Sequence, residues 1–344
     1  MNYPERIASV TELESLLSVP AEGLIEMMKR IDGDIMILGI AGKMGVTMGR
    51  QAVNAIRAAG VSKKVIGVSR FSRKEEREKL EDWGIETIAC DLLDQDAVKS
   101  LPQVKNIVFM AGRKFGTEGS EAQTWAMNIL APSYIGAHFR GSRIVAFSTG
   151  CVYPLVGITS CGCTEEVTPE PVGEYSQSCL GRERIFQYCS QKYGTKVLLF
   201  RLNYAIDLRY GVLHDIARNI WEGRPVDNTV GYFNVIWQGD ANSNALRSFE
   251  LCDSPAAVLN VTGPETASVE KTALQLGASM GKEVVFKGVP GNLCYLNNSA
   301  QMCRRFGYPN VSLEQMIRWQ ADWIRNGGIS IGKPTHFEVN NGKF

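Results

Sequence analysis

The stretch that most constrains the fold is Gly39-Ile40-Ala41-Gly42-Lys43-Met44-Gly45. The apolar run Ile35-Met36-Ile37-Leu38 precedes it, and a proline-free segment from Val46 to Ala59 follows. Apolar run, glycine turn and helical run in that order predict a strand delivered into a helix through a tight turn. The glycines admit close backbone approach, and the helix N-terminus offers N–H groups to a pyrophosphate. Gly39, Gly42, Lys43, Met44 and Gly45 are therefore expected to hold a dinucleotide. The spacing is G-x-x-G-x-x-G rather than G-x-G-x-x-G, so the turn alone is a weak signal.

From residue 35 to about residue 201, short β-branched runs alternate with longer helical patterns. Strands are expected at 35–38, 64–69, 87–89, 106–110, 143–148 and 196–201. Most are separated by enough chain for a crossover, which implies an α/β fold with a doubly wound parallel sheet and helices on both faces. Ligands on such sheets bind at the carboxyl ends of the strands. The second strand ends Val68-Ser69-Arg70-Phe71-Ser72-Arg73, where an acidic residue would accept hydrogen bonds from a ribose. Ser69, Arg70 and Arg73 suit a 2′-phosphate instead, so NADP(H) is expected over NAD(H). The alternative is that the two arginines open a solvated, highly charged helix.

At the end of the third strand, Asp91 and Leu92 are placed to meet an adenine, although Asp91 also suits a turn cap. Ala111-Gly112 after the fourth strand leaves room for a cofactor backbone. Asn128 lies among apolar neighbours and needs hydrogen-bond partners; a structural role fits it as well as a catalytic one.

The net charge of +1 gives no electrostatic reason to expect nucleic acid or an anionic membrane as partner. No apolar run approaches membrane-spanning length, and nothing near Met1 resembles a secretion signal. A cytoplasmic protein is expected. Nine scattered cysteines do not form a disulfide framework, and Cys161-Gly162-Cys163 lacks the further ligands of a zinc site, so no metal is expected.

Phe147-Ser148-Thr149-Gly150-Cys151-Val152-Tyr153-Pro154, followed by Gly173-Glu174-Tyr175-Ser176-Gln177-Ser178, resembles the extended short-chain dehydrogenase/reductase family of NAD(P)-dependent sugar-nucleotide epimerases and dehydratases. Arg201-Leu202-Asn203-Tyr204 and the segment from Val258 to Glu265 extend the resemblance over roughly residues 34–320. It implies a Rossmann-type domain over 34–205, a segment over 206–328 that returns to the sheet and forms a smaller substrate-binding part, and a homodimer built on helices at 121–138 and 174–193. It also implies a sugar-like hydroxylated substrate near Thr149, Gly150, Cys151 and Asn203. Tyr175 would be the acid/base, and Thr149 would polarise the reacting oxygen.

The chain departs from the family where the tyrosine is tuned. The family motif Y-x-x-x-K places a lysine one turn after the tyrosine; here that residue is Cys179. Three explanations stand. Arg182, two turns on, extends back toward the site; or the substrate or Cys179 takes part in the proton chemistry; or the protein binds NADP(H) as a sensor with little or no turnover. Residues 1–33 read as a helical extension without chemistry. Residues 329–344 read as a tail, and its His336 as a packed or exposed histidine.

Overall fold

A computed structural model describes residues 3–113, 119–333 and 335–339. Its central sheet has seven strands: β1 Ile35–Leu38, β2 Val65–Ser69, β3 Glu86–Ala89, β4 Asn106–Phe109, β5 Arg143–Thr149, β6 Lys196–Leu202 and β7 Ala257–Val261. Their order is β7-β6-β5-β4-β1-β2-β3, with every neighbouring pair parallel. The chain runs outward from β1 to β3, then returns to β4 on the other side of β1. The switch point of the sheet therefore falls beside the glycine turn that follows β1.

Strand side chains alternate between two apolar layers. Ile35, Ile37, Val108, Val145, Phe147, Leu198 and Phe200 enter one; Met36, Leu38, Ile107, Phe109, Ile144, Ala146, Val197 and Leu199 enter the other. Burial on both faces is why these strands read as unbroken apolar runs.

The N-terminal helices Val10–Leu17 and Glu22–Arg30 pack against the Gly45–Ala59 and Gln238–Arg247 helices. Ser9 Oγ caps the first of them by accepting the Glu12 N–H at 3.1 Å, while the Glu12 carboxylate accepts the Ala8 N–H at 2.8 Å. Leu13 and Leu17 share a third apolar cluster with Ile206, Leu213, Trp237, Trp319 and Trp323. The extension is thus part of the core that supports the C-terminal third.

The helical run expected at 121–138 is interrupted. Helix Glu121–Trp125 passes through a π turn, Ala126–Leu130, into helix Ala131–His138. Pro132 supplies the reason: it has no N–H for the carbonyl four residues back, and its ring crowds that carbonyl. The wider turn puts Asn128 inside, fully buried. The second long helix, Gly173–Tyr193, is continuous and packs along this run.

The tail is held along the C-terminal third. Ile331 N–H donates to Arg209 O at 3.0 Å, and the Thr335 N–H and hydroxyl donate to Asp215 Oδ2 at 2.7 and 2.6 Å. Among the described residues, no helix is long and apolar enough to cross a membrane.

Candidate active site

The glycine turn is shaped by contacts that only glycine allows. Gly39 has φ +92°, and a Cβ there would lie 2.8 Å from the Ala111 nitrogen. Gly45 opens the helix with its α-carbon against the preceding loop, where a Cβ would lie 2.3 Å from Ile40 O. Backbone cannot yield as a flexible side chain can. Gly45→Ala is therefore expected to lower stability by about 1–3 kcal/mol in urea denaturation; an unchanged midpoint would show that the turn relaxes freely.

A cleft of about 660 Å³ opens over this turn at the carboxyl ends of the strands. Gly39, Gly42, Lys43, Met44, Arg73, Gly112, Thr149, Cys151, Tyr175 and Asn203 all line it. Sequence positions spanning nearly half the chain thus converge on one space. The glycine cradle and the N-terminus of the Gly45–Ala59 helix fit the pyrophosphate of a dinucleotide.

The other expected residues lie around the cleft rather than on its wall. Gly45 is beneath the turn, and Ala111 backs Gly39. Ser69 ends β2 with Arg70 exposed after it, and the Arg73 guanidinium pairs with the Glu76 carboxylate. Asp91 caps its own turn, its Oδ1 accepting the Leu93 N–H at 3.0 Å, and Leu92 is buried. Gly150 packs on Asn297, whose Oδ1 would stand 2.5 Å from an added Cβ. Cys179 is fully buried in a small cluster with Val152, Tyr153 and Cys163. Burial pushes its thiol above the ordinary cysteine value, although Arg182 and a hydrogen bond with Tyr175 oppose the rise.

Thr149 ends β5, and its Oγ1 accepts the Cys151 N–H at 3.2 Å, which leaves the hydroxyl proton available to a ligand. Tyr175 projects from the first turn of the Gly173–Tyr193 helix. Burial raises its phenol well above the ordinary tyrosine value; the Cys179 and Cys151 thiols add to the rise, and Arg182 opposes it. At neutral pH the phenol is a proton donor.

Arg182 brings its guanidinium back to the cleft wall, as one of the three explanations supposed. Its Nη1 donates to Phe147 O at 2.8 Å, and its Nη2 donates to Asn128 Oδ1. Asn128 in turn donates to Ser178 Oγ at 2.8 Å, and Ser178 Oγ donates to Tyr175 O at 2.8 Å.

Behind Asn203, the last of these wall residues, lies a polar, uncharged layer that is not itself part of the cleft lining. Asn203 Nδ2 donates to Asn234 Oδ1 at 2.7 Å and to Tyr295 O at 3.2 Å, and Asn234 Nδ2 donates to Asn297 O at 2.8 Å. Both side-chain polar atoms of Asn297 and the Tyr295 hydroxyl are buried without a protein partner.

Sequence reasoning missed several wall residues: Glu14, Thr47, Lys79, Arg209, Tyr210, Gln238, Lys333 and Thr335. Glu14 joins three elements: its Oε2 lies 2.6 Å from Lys79 Nζ and its Oε1 3.1 Å from Arg209 Nη1, while Arg209 also pairs with Asp207 at 2.6 Å. The extension therefore contributes to the cleft, contrary to its reading as inert. A glutamate on the buried side of a helix beside Leu13 and Leu17 was the available signal. Lys43 Nζ sits 3.2 Å from the centre of the Tyr210 ring. A smaller pocket of about 320 Å³ beside the cleft includes Arg218, Arg224, Lys287 and His336. Glu222 pairs with both arginines and Asp227 with Lys287, and the pocket holds neither the glycine turn nor Thr149 and Tyr175.

The model of the NAD dependent epimerase/dehydratase family matches residues 35–224. No curated protein matches the sequence. Among solved structures, a UDP-glucose 4-epimerase from Thermotoga maritima, in a structure with UDP-glucose, is 18% identical over 85% of this chain and 98% of its own, with a TM-score of 0.68. A dTDP-glucose 4,6-dehydratase from Streptomyces venezuelae, in a structure with NAD bound, is 18% identical over 86% and 97%, with a TM-score of 0.72. A UDP-glucose 4-epimerase from Thermus thermophilus, in complex with NAD, gives 18%, 86%, 99% and 0.69 in the same terms. At these identities the likeness is one of fold.

Proposed function

The chain belongs to the NAD dependent epimerase/dehydratase family, and from that premise we propose that it is an NADP(H)-dependent oxidoreductase, epimerase or dehydratase acting by hydride transfer on a sugar-like, hydroxylated small molecule. The observation that carries this reading is the convergence of Thr149, Tyr175 and the glycine turn on one cleft. A bound nicotinamide would supply or accept the hydride. Hydride delivery to a carbonyl leaves an alkoxide, and the Tyr175 phenol, kept protonated by burial, is a proton source for it. The Thr149 hydroxyl would hold the same oxygen.

The Asn203 amide on the cleft wall supports a hydroxylated substrate, because an amide both donates to and accepts from ligand hydroxyls. Leu130 and Tyr188, exposed on the two long helical runs, support a homodimer through that face.

The direct test is a single turnover: protein loaded with NADP⁺ is mixed with a panel of sugars, sugar acids and nucleotide sugars, with nicotinamide absorbance and product NMR as readouts. Cofactor reduction or an altered substrate supports the reading. Silence across the panel with tight nucleotide binding would instead favour a sensor of the same fold.

The choice of NADP(H) rests on Arg70, Arg73 and the absence of an acidic residue at Ser69. Arg70→Ala is expected to weaken NADPH binding by roughly tenfold while sparing NADH, the size of one lost charge-assisted hydrogen bond. Equal losses for both nucleotides in a fluorescence titration would remove the preference.

A further inference from the structure

The family's tyrosine is partnered by a lysine that this chain lacks, yet the site is not without a cation. Tyr175, Cys179 and Arg182 are spaced i, i+4, i+7 on one face of the Gly173–Tyr193 helix. Cys179 is buried between its two neighbours on that face, while Tyr175 and Arg182 both reach the cleft wall. We infer that Arg182 does the electrostatic work of the missing lysine, its fixed positive charge favouring the phenolate of Tyr175 from two turns away. This rests on the reading of Tyr175 as the acid/base and makes Arg182 its positioning residue.

Three features of the surroundings carry the inference. First, Arg182 is held by neutral acceptors only, the Phe147 carbonyl and the Asn128 side chain. Among the described residues, no carboxylate pairs with it: the adjacent Glu183 is engaged by Arg201 through Nε at 2.9 Å and Nη2 at 2.6 Å. A buried guanidinium without a counter-ion keeps its field for the site, whereas an ion pair would cancel most of it.

Second, the path for the guanidinium is kept open. A Cβ on Gly112 would lie 2.5 Å from Arg182 Nη2, so the small residue after β4 clears the place that the cation occupies. The π turn puts Asn128 where its Oδ1 meets that same nitrogen.

Third, the Arg182 Nε is buried and has no protein acceptor. A purely structural arginine would be expected to use its donors on the protein around it. Among the described residues, the Cys179 and Cys151 thiols and Arg182 act on the Tyr175 phenol, and of these Arg182 favours the phenolate. Asn128 and Ser178 link the guanidinium to the Tyr175 backbone, so charge and phenol are held in one frame.

The test needs neither cofactor nor substrate. The full chain is prepared with 3,5-difluorotyrosine at position 175, whose more acidic phenol titrates in an accessible range, and its midpoint is followed by ¹⁹F NMR. Arg182→Met is expected to raise the midpoint by about one unit or more, the effect of losing a nearby opposite charge. Arg182→Lys is expected to raise it less, and Cys179→Lys in the Arg182→Met background to bring it back down.

An unchanged midpoint in Arg182→Met would overturn the inference. So would a raised midpoint that Cys179→Lys does not reverse, because repacking alone would then explain the rise. Should Arg182→Met fail to fold, Arg182→Gln removes the charge while keeping an amide donor on the same face of the helix. A raised midpoint then supports the inference, and an unmoved one overturns it. Because the titration involves no turnover, it separates failure of this inference from failure of the proposed enzymatic activity.

Discussion

Tyr175→Phe is expected to lower turnover by about a hundred- to ten-thousand-fold, with little change in NADPH affinity. The substitution removes one oxygen from the cleft wall and leaves the ring in place. What is lost is the phenol proton that Tyr175 brings to the cleft it shares with Thr149. Hydride transfer without it would leave an alkoxide to find its proton from water. Thr149→Val should produce a smaller loss, because in the proposed reaction Thr149 would hold the oxygen and would not supply the net proton. Single-turnover rates and a fluorescence titration on the same preparations separate the two quantities. Undiminished turnover in Tyr175→Phe would sink the assignment of the acid/base, while parallel losses in rate and affinity would place the phenol in nucleotide binding instead.

The second large effect concerns the scaffold behind that site. Glu183→Gln is expected to destabilise the chain by about 3–5 kcal/mol, because it leaves Arg201 buried without its counter-charge. Glu183 is fully buried and Arg201 is 3% exposed. Their fork-to-fork pair is extended on both sides: Ser148 Oγ donates to Glu183 Oε1 at 2.5 Å, and Arg201 Nη1 donates to Tyr153 Oη at 2.7 Å. Tyr153 then donates to Asn260 Oδ1 at 2.9 Å, so the network ties β5, β6, β7 and the Gly173–Tyr193 helix together just below Thr149. The comparison is Glu76→Gln, which breaks the exposed pair with Arg73 and should cost less than about 1 kcal/mol. Urea denaturation of both variants measures the difference. Equal and small losses would mean that water reaches the Glu183–Arg201 pair.

Much of the fold was legible because its signals are local. All six expected strands of the first two-thirds formed, within one or two residues of their expected ends, since a strand buried on both faces must be apolar along its whole length. The glycine turn was legible for a related reason: Gly39 at φ +92° and Gly45 against Ile40 O are positions that exclude a side chain whatever surrounds them. The helix expected at 121–138 was recognisable as helical, but the consequence of Pro132 was not drawn from its spacing, and with it went the inward position of Asn128.

The candidate site was legible only where each residue announces its own chemistry. Thr149, Tyr175, Asn203 and the glycines belong to short motifs, and the structure places all but Gly45 and Gly150 of these on one cleft. Glu14 and Lys333 belong to no motif and lie more than three hundred residues apart in sequence, yet both line it. Cys179 stands in the motif position of the lysine, but its side chain is buried away from the cleft wall.

By itself, then, the sequence determined the βαβ order, the glycine turn and the loss of the family lysine, because backbone sterics and the periodicity of burial act between near neighbours. Only the tertiary structure decided that Arg182 reaches the wall beside Tyr175, that Glu14 joins Lys79 and Arg209, and that the tail lies along the cleft. Those outcomes depend on distances between segments far apart in the chain, and such distances are set by how layers pack and where a π turn widens a helix. A buried charge is placed by the acceptors that the whole fold brings to it, and no local pattern records them.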